Sequence, residues 1–194
     1  MINKLDGMTN NLDGKVDIPH EHRNITDYDV PQDYVIKLVE HDFIKTKWVE
    51  IEILMKKAFR YSKFNEEYKQ EELPLEYTWS SVNNPSRQGL KHLVAMNMEG
   101  KILGVIFGVP TYRYEDEISC EIGWFFTSDE LIPKARIKIA DELFKRVHEE
   151  VRNAGFKEVV TDIGTQAGAK YLSRKHGYLH RPLENNTNRW VRYL

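Results

Sequence analysis

A long helical pattern lies between two runs of strand-forming residues, and this order restricts the topologies that the chain can adopt. The helix is predicted over Pro133–Asn153, because Pro133 suits a first helical position and Gly155 is typical of the residue after a helix end. Its predicted apolar stripe consists of Ile137, Ala140, Phe144, Val147 and Val151. Strands are predicted before it at residues 117–126 and after it at residues 158–163. A strand–helix–strand order predicts a parallel strand pair with the helix packed across it.

The residues before this unit add further elements. A strand is predicted at Tyr34–Val39. Thr46 is predicted to cap a helix whose apolar residues are Trp48, Ile51, Met55, Ala58 and Phe59. A weaker helical stretch follows through residue 68. Residues 73–90 are expected to be irregular because they contain two prolines and a glycine.

Two strand patterns, at residues 92–98 and 102–109, flank the dipeptide Glu99-Gly100, which is a tight hairpin signal. Together with residues 117–126 they give three consecutive strands, which predict an antiparallel meander. The sequence therefore predicts an α/β fold in which one mixed sheet joins the meander to the parallel pair and carries helices on both faces.

The last part of the chain is predicted to add one helix and one strand. Thr165 is predicted to cap a helix over Gln166–His176, and Gly177 is predicted to end it. A final strand is predicted at Arg189–Tyr193.

Composition narrows the class of protein. The chain has 194 residues, a formal net charge of -2 and one cysteine, Cys120. The length fits one domain, and the charge gives no reason to expect a nucleic-acid partner. One cysteine excludes an intrachain disulfide, which fits the cytoplasm, and no apolar run approaches the roughly 20 residues of a membrane span.

The first 30 residues differ in character from the rest. They are polar and turn-rich and are predicted to form a flexible or wrapping arm, with residues 31–194 as the folded domain. His20 and His22 lie in this arm, but no third ligand is placed near them in sequence, so no metal site is predicted.

Three cations, Lys134, Arg136 and Lys138, lie in the first two turns of the long helix. A helix N-terminus carries partial positive charge and spare N–H donors, so acidic side chains are usual there. Cations at this end favour the docking of an anion, and phosphate groups commonly bind at helix N-termini. The sequence therefore indicates an enzyme that holds a phosphorylated cofactor.

Three segments, in this order, resemble the GCN5-related N-acetyltransferase (GNAT) superfamily. Glu-Ile-Gly at residues 121–123 is similar to the fourth strand of that family, the helix from Pro133 to its acetyl-CoA helix, and AKYLSRKHGY at residues 169–178 to its last helix. The resemblance covers roughly residues 34–194. It implies an acyltransferase domain that moves an acetyl or other short acyl group from acetyl-CoA, or another acyl-CoA, to a primary amine.

The resemblance also implies which residues bind the donor. The family's pyrophosphate motif, Gln/Arg-x-x-Gly-x-Gly/Ala, aligns with ARIKIA at residues 135–140, where Ala140 matches and Lys138 replaces the central glycine. Cofactor binding in an altered geometry is expected, with loss of binding as the alternative. The residues expected to bind the cofactor are Lys134, Arg136, Lys138 and Ala140 at the phosphates and Trp124, Phe125 and Phe126 along the pantetheine arm.

Two residues are candidates for catalysis. Glu121 is the candidate general base, because partial burial beside apolar neighbours would raise its pKa, and a surface carboxylate paired with a lysine is the alternative. The family often has a tyrosine acid four residues before the glycine that ends its last helix, and here Ser173 holds that position. Ser173 is expected either to hold a water or to be a solvated hydroxyl. Tyr171 would point to another side of the helix.

An acidic and aromatic segment precedes the hairpin. Carboxylates and aromatic faces together attract cationic amines, so the acceptor is expected to be a small cationic amine or a peptide amine. A solvated helix face explains the same pattern. The candidate substrate-binding residues are Glu72, Glu76, Tyr77 and Trp79.

Two other functions stay open. A GNAT-like module that binds a ligand without catalysis would explain Lys138 and Ser173. A transferase whose donor is an acyl-carrier protein would use the basic cluster to meet the acidic surface of the carrier. The sequence leaves the acceptor, the acyl length and the oligomeric state open, with a homodimer among the options.

Overall fold

A computed structural model of the chain describes residues 33–60, 73–84, 87 and 89–194. Its strands are β1 Tyr34–Val39, β2 Leu90–Asn97, β3 Ile102–Pro110, β4 Ser119–Glu121, β5 Phe125–Thr127, β6 Glu158–Asp162, β7 Leu179–His180 and β8 Arg189–Tyr193. Its helices are α1 His41–Thr46, α2 Trp48–Phe59, α3 Leu73–Asn83, α4 Pro133–Asn153 and α5 Gln166–His176. The predicted arm at residues 1–30 and the helical stretch through residue 68 lie outside the described residues.

The strands form two four-stranded sheets. The first has the order β1-β2-β3-β5 and is antiparallel throughout. The second has the order β4-β6-β8-β7, and within it β4 and β6 are parallel. The antiparallel meander, the parallel pair and the α/β class are confirmed. The single strand predicted over residues 117–126 is wrong, because this stretch is divided between the edge strands of two different sheets.

The division occurs at two adjacent backbone amides. The Ile122 N–H donates to the Val160 carbonyl in the second sheet at 3.0 Å, and the Gly123 N–H donates to the Phe107 carbonyl in the first sheet at 2.8 Å. A Cβ atom at Gly123 would lie 3.1 Å from the Phe107 carbonyl oxygen, which is closer than ordinary carbon–oxygen contacts. Glycine at this position therefore allows the chain to cross between the sheets.

Side chains on the first sheet alternate between two cores. On β2, Leu93 and Ala95 pack with α4, whereas Val94 and Met96 pack with the helices α1, α2 and α3. This period-two alternation places helices on both faces of the first sheet, as predicted.

Helix α4 has the predicted bounds, and Gly155 follows it with a φ of 94°. Its buried face includes Ile139, Leu143 and Phe144. Ile137 was expected in the apolar stripe, but 54% of its surface is exposed. The buried stripe begins two residues earlier, at Ala135, and Ile137 lies about 200° around the helix from it.

The first helical region differs from the prediction in two places. Thr46 ends α1, where its Oγ1 donates to the Asp42 carbonyl at 2.8 Å, so it does not cap α2. Residues 73–90 were expected to be irregular but contain helix α3. Pro74 lies in the first turn of α3, where a missing N–H costs nothing. Leu75 and Val82 anchor this helix in the core.

The remaining predictions for local structure are confirmed. Thr165 Oγ1 accepts a hydrogen bond from the Gly168 N–H at the start of α5, and Gly177 ends this helix in the left-handed conformation. A turn with Gly100 at a φ of 80° joins β2 to β3. None of the described helices is both long enough and apolar enough to cross a membrane.

Two substitutions on α4 test which face of the helix is buried. Leu143→Ala removes a fully buried side chain and should lower the free energy of unfolding by about 2–5 kcal/mol. Ile137→Ala, on the exposed face, should change it by no more than about 0.5 kcal/mol. Urea denaturation of both variants measures the difference. An equal loss in Ile137→Ala would show that Ile137 is buried, as the sequence predicted.

Candidate active site

A cavity of about 510 Å³ lies where β4 and β5 separate. Its lining comes from α3, from β2 and β3, and from the ends of β4 and β6. Three of the site residues predicted from the sequence line this cavity: Glu121, Trp124 and Tyr77.

Two carboxylates enter this cavity from the parallel strand pair. Glu121 ends β4 and pairs in register with Val160, and Asp162 ends β6 two residues later. Because parallel strands end at the same edge of a sheet, both side chains reach the same cavity. Asn186 Nδ2 donates to both carboxylate oxygens of Asp162, at 2.9 and 3.2 Å. These bonds fix the orientation of Asp162.

The surroundings of Glu121 change its acidity. Partial removal from water raises the pKa of the Glu121 carboxyl, and the negative charge of Asp162 raises it further, while Arg87 and Arg189 oppose the shift. The residue is nevertheless exposed overall, so the cavity leaves it accessible to a ligand. A carboxyl with a raised pKa in a cavity is suited to accept a proton near neutral pH.

The two sheets are separated by a gap, and an edge strand of each sheet borders it. β4 is an edge of the second sheet and β5 is an edge of the first, and the two strands do not pair with each other. An extended ligand can add to such an edge through backbone hydrogen bonds. The side chains of Phe125 and Phe126 pack in the core, against Phe144 and near Phe107. Trp124, just before β5, packs edge-on against Phe59 and also lines the cavity.

The predicted phosphate site lies around the start of α4, outside the cavity. Arg136 Nε donates to Thr127 Oγ1 at the end of β5, at 3.3 Å. Lys138 Nζ lies 5.6 Å from the centroid of the Tyr34 ring, on the side of β1. Ala140 was predicted at the phosphates, but it is buried, and its small side chain packs in the core. Arg136 and Lys138 therefore reach different strands, and Arg136 is held against β5.

Two carboxylates precede this helix, next to the predicted phosphate site. Asp129 pairs with Lys57 at 3.3 Å, and Glu130 pairs with Lys101. The Glu130 pKa is lowered by the hydrogen bond from Lys101. These ion pairs neutralise negative charge that would otherwise oppose an anion at the helix start.

The other predicted residues lie elsewhere. Ser173 is exposed on α5 and does not line the cavity. On α3, Glu76 is exposed, and the Trp79 ring packs against Trp48 of α2 at a centroid distance of 4.8 Å. Glu72 lies outside the described residues.

Sequence reasoning missed several residues of the cavity. Buried His92 on β2 and Arg87 before it line the wall. Asp162 could have been found, because the predicted parallel pair places the ends of residues 117–126 and 158–163 at a common edge. In the sequence, His92 is a single polar residue in an apolar strand, and such a residue is only a weak sign of a functional site.

No protein-family model and no curated protein matches this sequence. Solved structures do share its fold. The PaiA N-acetyltransferase from Thermoplasma acidophilum, in complex with coenzyme A, matches with a TM-score of 0.59 over 84% of this chain and 99% of its own, at 12% identity. The GNAT family N-acetyltransferase YhbS from Escherichia coli, also in complex with CoA, matches with a TM-score of 0.52 over 82% of this chain and 81% of its own, at 14% identity.

A third match is the C-terminal condensation domain of Ebony in complex with beta-alanyl-dopamine. It gives a TM-score of 0.58 over 84% of this chain and 99% of its own, at 10% identity. The chain thus has the GNAT fold, as the resemblance in its sequence predicted. In the part of the chain that the structure describes, no group of three or more histidine, cysteine or acidic side chains could hold a metal ion.

The raised pKa of Glu121 predicts how stability depends on pH. Ionising this carboxyl costs more in the folded state than in the unfolded state, so its destabilising effect grows as the pH rises above the ordinary value of 4.5. Glu121→Gln should therefore be more stable than the wild type at pH 7, and the two should converge near pH 4. Thermal unfolding across this range measures the difference.

Glu130→Gln provides a control of opposite sign. The lowered pKa of Glu130 stabilises the folded state above the ordinary carboxyl value, so this variant should lose stability at pH 7 and regain parity in acid. A Glu121→Gln variant that is less stable at pH 7 would mean that this carboxylate is held by a favourable ion pair.

Proposed function

We propose that this protein is an acyl-CoA-dependent N-acyltransferase that moves an acetyl or other short acyl group to a primary amine. The observation that carries the proposal is the separation of β4 from β5 beside a cavity that holds Glu121. The GNAT fold supports it, and so do the neighbours PaiA and YhbS, which are N-acetyltransferases solved with CoA.

The gap between the sheets fits the arm of such a donor. The unpaired edge of β5 offers backbone groups to an extended pantetheine chain, and Arg136 beside β5 lies where a phosphate at the start of α4 would be neutralised. When bound, acyl-CoA supplies an activated thioester. The backbone of β5 would orient its carbonyl towards the cavity.

Glu121 is the group that we assign to proton removal from the acceptor. An amine is protonated in neutral water and attacks only after it loses a proton. Glu121 borders the gap, and its raised pKa brings it closer to the working pH than an ordinary carboxylate. Ser173 has no place in this scheme, because it does not line the cavity.

The cavity favours an acceptor that carries positive charge. Glu121 and Asp162 contribute two negative charges against the single positive charge of Arg87 on the lining. Tyr77, Phe107 and Trp124 add aromatic surface, which attracts a cation on its face. We therefore propose a small cationic amine or a basic peptide as acceptor, bound by Asp162 and Tyr77 more than by Glu76 or Trp79.

A second candidate donor is an acyl group on a carrier protein. The start of α4 lacks the glycine motif for pyrophosphate, because Lys138 holds the position of the central glycine. The Ebony domain, with beta-alanyl-dopamine bound, shows that a condensation domain shares this fold. A donor of this kind would use the gap between the sheets without a nucleotide at α4.

Calorimetric titration with CoA tests the donor. The triple variant Lys134→Gln, Arg136→Gln and Lys138→Gln should bind CoA more weakly by a few kcal/mol, taking about 1.5–3 kcal/mol per charge-assisted contact with incomplete additivity. Among the single variants, Arg136→Gln should lose the most, because Arg136 Nε is bonded to Thr127 at the end of β5, beside the gap between the sheets. Lys145→Gln, further along α4 and paired with Asp141, is the control and should bind normally.

Wild-type affinity in the triple variant would remove these cations from the donor site. No binding of CoA by the wild type would favour the carrier-protein donor or a non-catalytic module. Titration with an acylated carrier protein then separates those two alternatives.

Steady-state kinetics tests the base. With acetyl-CoA and a panel of spermidine, glucosamine, tyramine and a lysine peptide, Glu121→Gln should lower kcat by roughly 10²–10⁴. Its affinity for CoA should not change, because the side chain faces the acceptor cavity. The pH–rate profile should lose its ascending limb. Undiminished turnover would assign the proton transfer to another group.

A further inference from the structure

A second cavity, of about 540 Å³, lies against the second sheet. Its lining comes from β6, β7, β8 and the turn that joins β7 to β8, and it includes no residue of a described helix. It lies on the face of the sheet opposite to the helices, because buried Val159 packs in the core with α4 whereas its neighbour Glu158 lines the cavity. The reaction scheme above does not use this cavity.

The second cavity adjoins the acceptor cavity, which holds Glu121 and Asp162. Asp162 ends β6 and pairs in register with Arg189 of β8, so a lining residue of one cavity lies directly opposite a lining residue of the other. Burial and Asp162 raise the pKa of Glu121, and Arg87 and Arg189 lower it, so the charge of Arg189 reaches the acceptor cavity. A ligand of sufficient length can therefore occupy both cavities.

Two arginines lie at the end of the second cavity that is next to Asp162. The Arg181 N–H donates to the Arg189 carbonyl at 3.0 Å, and Arg189 Nη1 donates to the Arg181 carbonyl at 3.5 Å. Backbone hydrogen bonds of 2.8 and 3.1 Å between Leu183 and Asn186 close the turn between the two arginines. Both guanidinium groups are thus carried on one backbone unit that is in place before a ligand arrives.

No neighbouring acid neutralises these arginines. Neither Arg181 nor Arg189 forms an ion pair with a carboxylate of the described residues. Asp162 lies opposite Arg189, but its two oxygens accept from Asn186 Nδ2. Glu158, the acid on the lining of the second cavity, lies four residues before Asp162 on β6, or about 13 Å away. The cavity therefore has a positive end beside Asp162 and a negative end at Glu158.

A carboxylate is the group that suits the positive end. A guanidinium has five N–H donors and binds a carboxylate through two parallel hydrogen bonds. The Cα atoms of Glu121 and Arg189 are separated by two strand spacings of about 4.8 Å and by two residues of about 3.3 Å each, which gives about 12 Å in total. An extended peptide covers this distance in roughly three to four residues.

We propose that the second cavity is a subsite for a carboxylate of the acceptor. The acceptor is a peptide whose amine enters the acceptor cavity, while an acidic residue further along the peptide binds Arg181 and Arg189. The inference rests on the proposed function and narrows its acceptor from small amines to peptides. The charges of peptide and protein then match at both ends, since the amine meets Glu121 and Asp162 and the carboxylate meets the two arginines.

Acetylation of matched peptides tests the subsite. The peptides are alanine hexamers with a free N-terminal amine and an amidated C-terminus, and each carries one glutamate, or in its match one glutamine, at a position from two to six. The wild type should show a KM about 10-fold lower for the glutamate peptide, the low end of the effect of a hydrogen bond to a charged group. The difference should be greatest at the fourth or fifth position, three to four residues from the amine.

Equal KM values for every pair would overturn the subsite, and so would a difference that does not depend on position. Acetylation of spermidine or tyramine without acetylation of any peptide would overturn it as well.

Substitution of the arginines tests the same contact from the side of the protein. In the double variant Arg181→Gln and Arg189→Gln, the ratio of the two KM values should fall from about 10 to about 1, because the carboxylate has lost its partners. Damage to the fold would raise both KM values together and leave their ratio near 10, which would overturn the subsite. Arg174→Gln is the control, because Arg174 is exposed on α5 outside both cavities, and it should keep the wild-type ratio.

Binding of the peptides without acetyl-CoA separates the subsite from the reaction. In fluorescence anisotropy with a label at the C-terminus, the wild type should bind the glutamate peptide about 10-fold more tightly than its glutamine match, and the double variant should bind both equally. A wild type that neither binds CoA nor acetylates any amine would overturn the proposed function, and a preference for the glutamate peptide in this titration would still support the subsite. A wild type that acetylates amines and binds both peptides equally would overturn the subsite alone.

Discussion

The amides of Ile122 and Gly123 determine the shape of this molecule. They are adjacent in sequence, yet they donate to carbonyl groups in different sheets. From that point β4 remains with β6 and β5 remains with β3, so a single stretch of extended chain borders two sheets. The gap, the adjoining cavity and the position of Glu121 all follow from this crossing. A side chain at residue 123 would press on the Phe107 carbonyl and oppose it.

The sequence predicted those elements whose signals are local. Pro133 and Gly155 bounded α4, and Thr165 and Gly177 bounded α5, because caps act within one turn of the helix. The division of residues 117–126 could not be read in the same way. Its apolar alternation is continuous, and the carbonyl groups that separate it belong to Phe107 and Val160, far along the chain. Tertiary hydrogen bonds override the local pattern there.

The candidate site shows the same limit. Glu121 was predicted because it lies in a strand beside apolar residues and belongs to a segment that resembles a strand of the family. His41 and His92 are 51 residues apart, and only the pairing of β1 with β2 brings them within 2.8 Å. Nor could the sequence show that Tyr77 enters the cavity while Trp79, two residues later on α3, packs on Trp48. A helix separates such residues by about 200°, and the neighbouring helix decides which of them faces inward.

The order of strands in the second sheet has a consequence for synthesis of the chain. β8 is the last strand in sequence, yet it lies between β6 and β7 inside its sheet. The first sheet can be complete once β5 has left the ribosome, whereas β6 has no antiparallel neighbour until residues 189–193 emerge. Asn186, which orients Asp162, also arrives late. The nascent chain can therefore build the half of the molecule that carries His92 first, and the acidic wall of the cavity closes only after residues 186–193 have emerged.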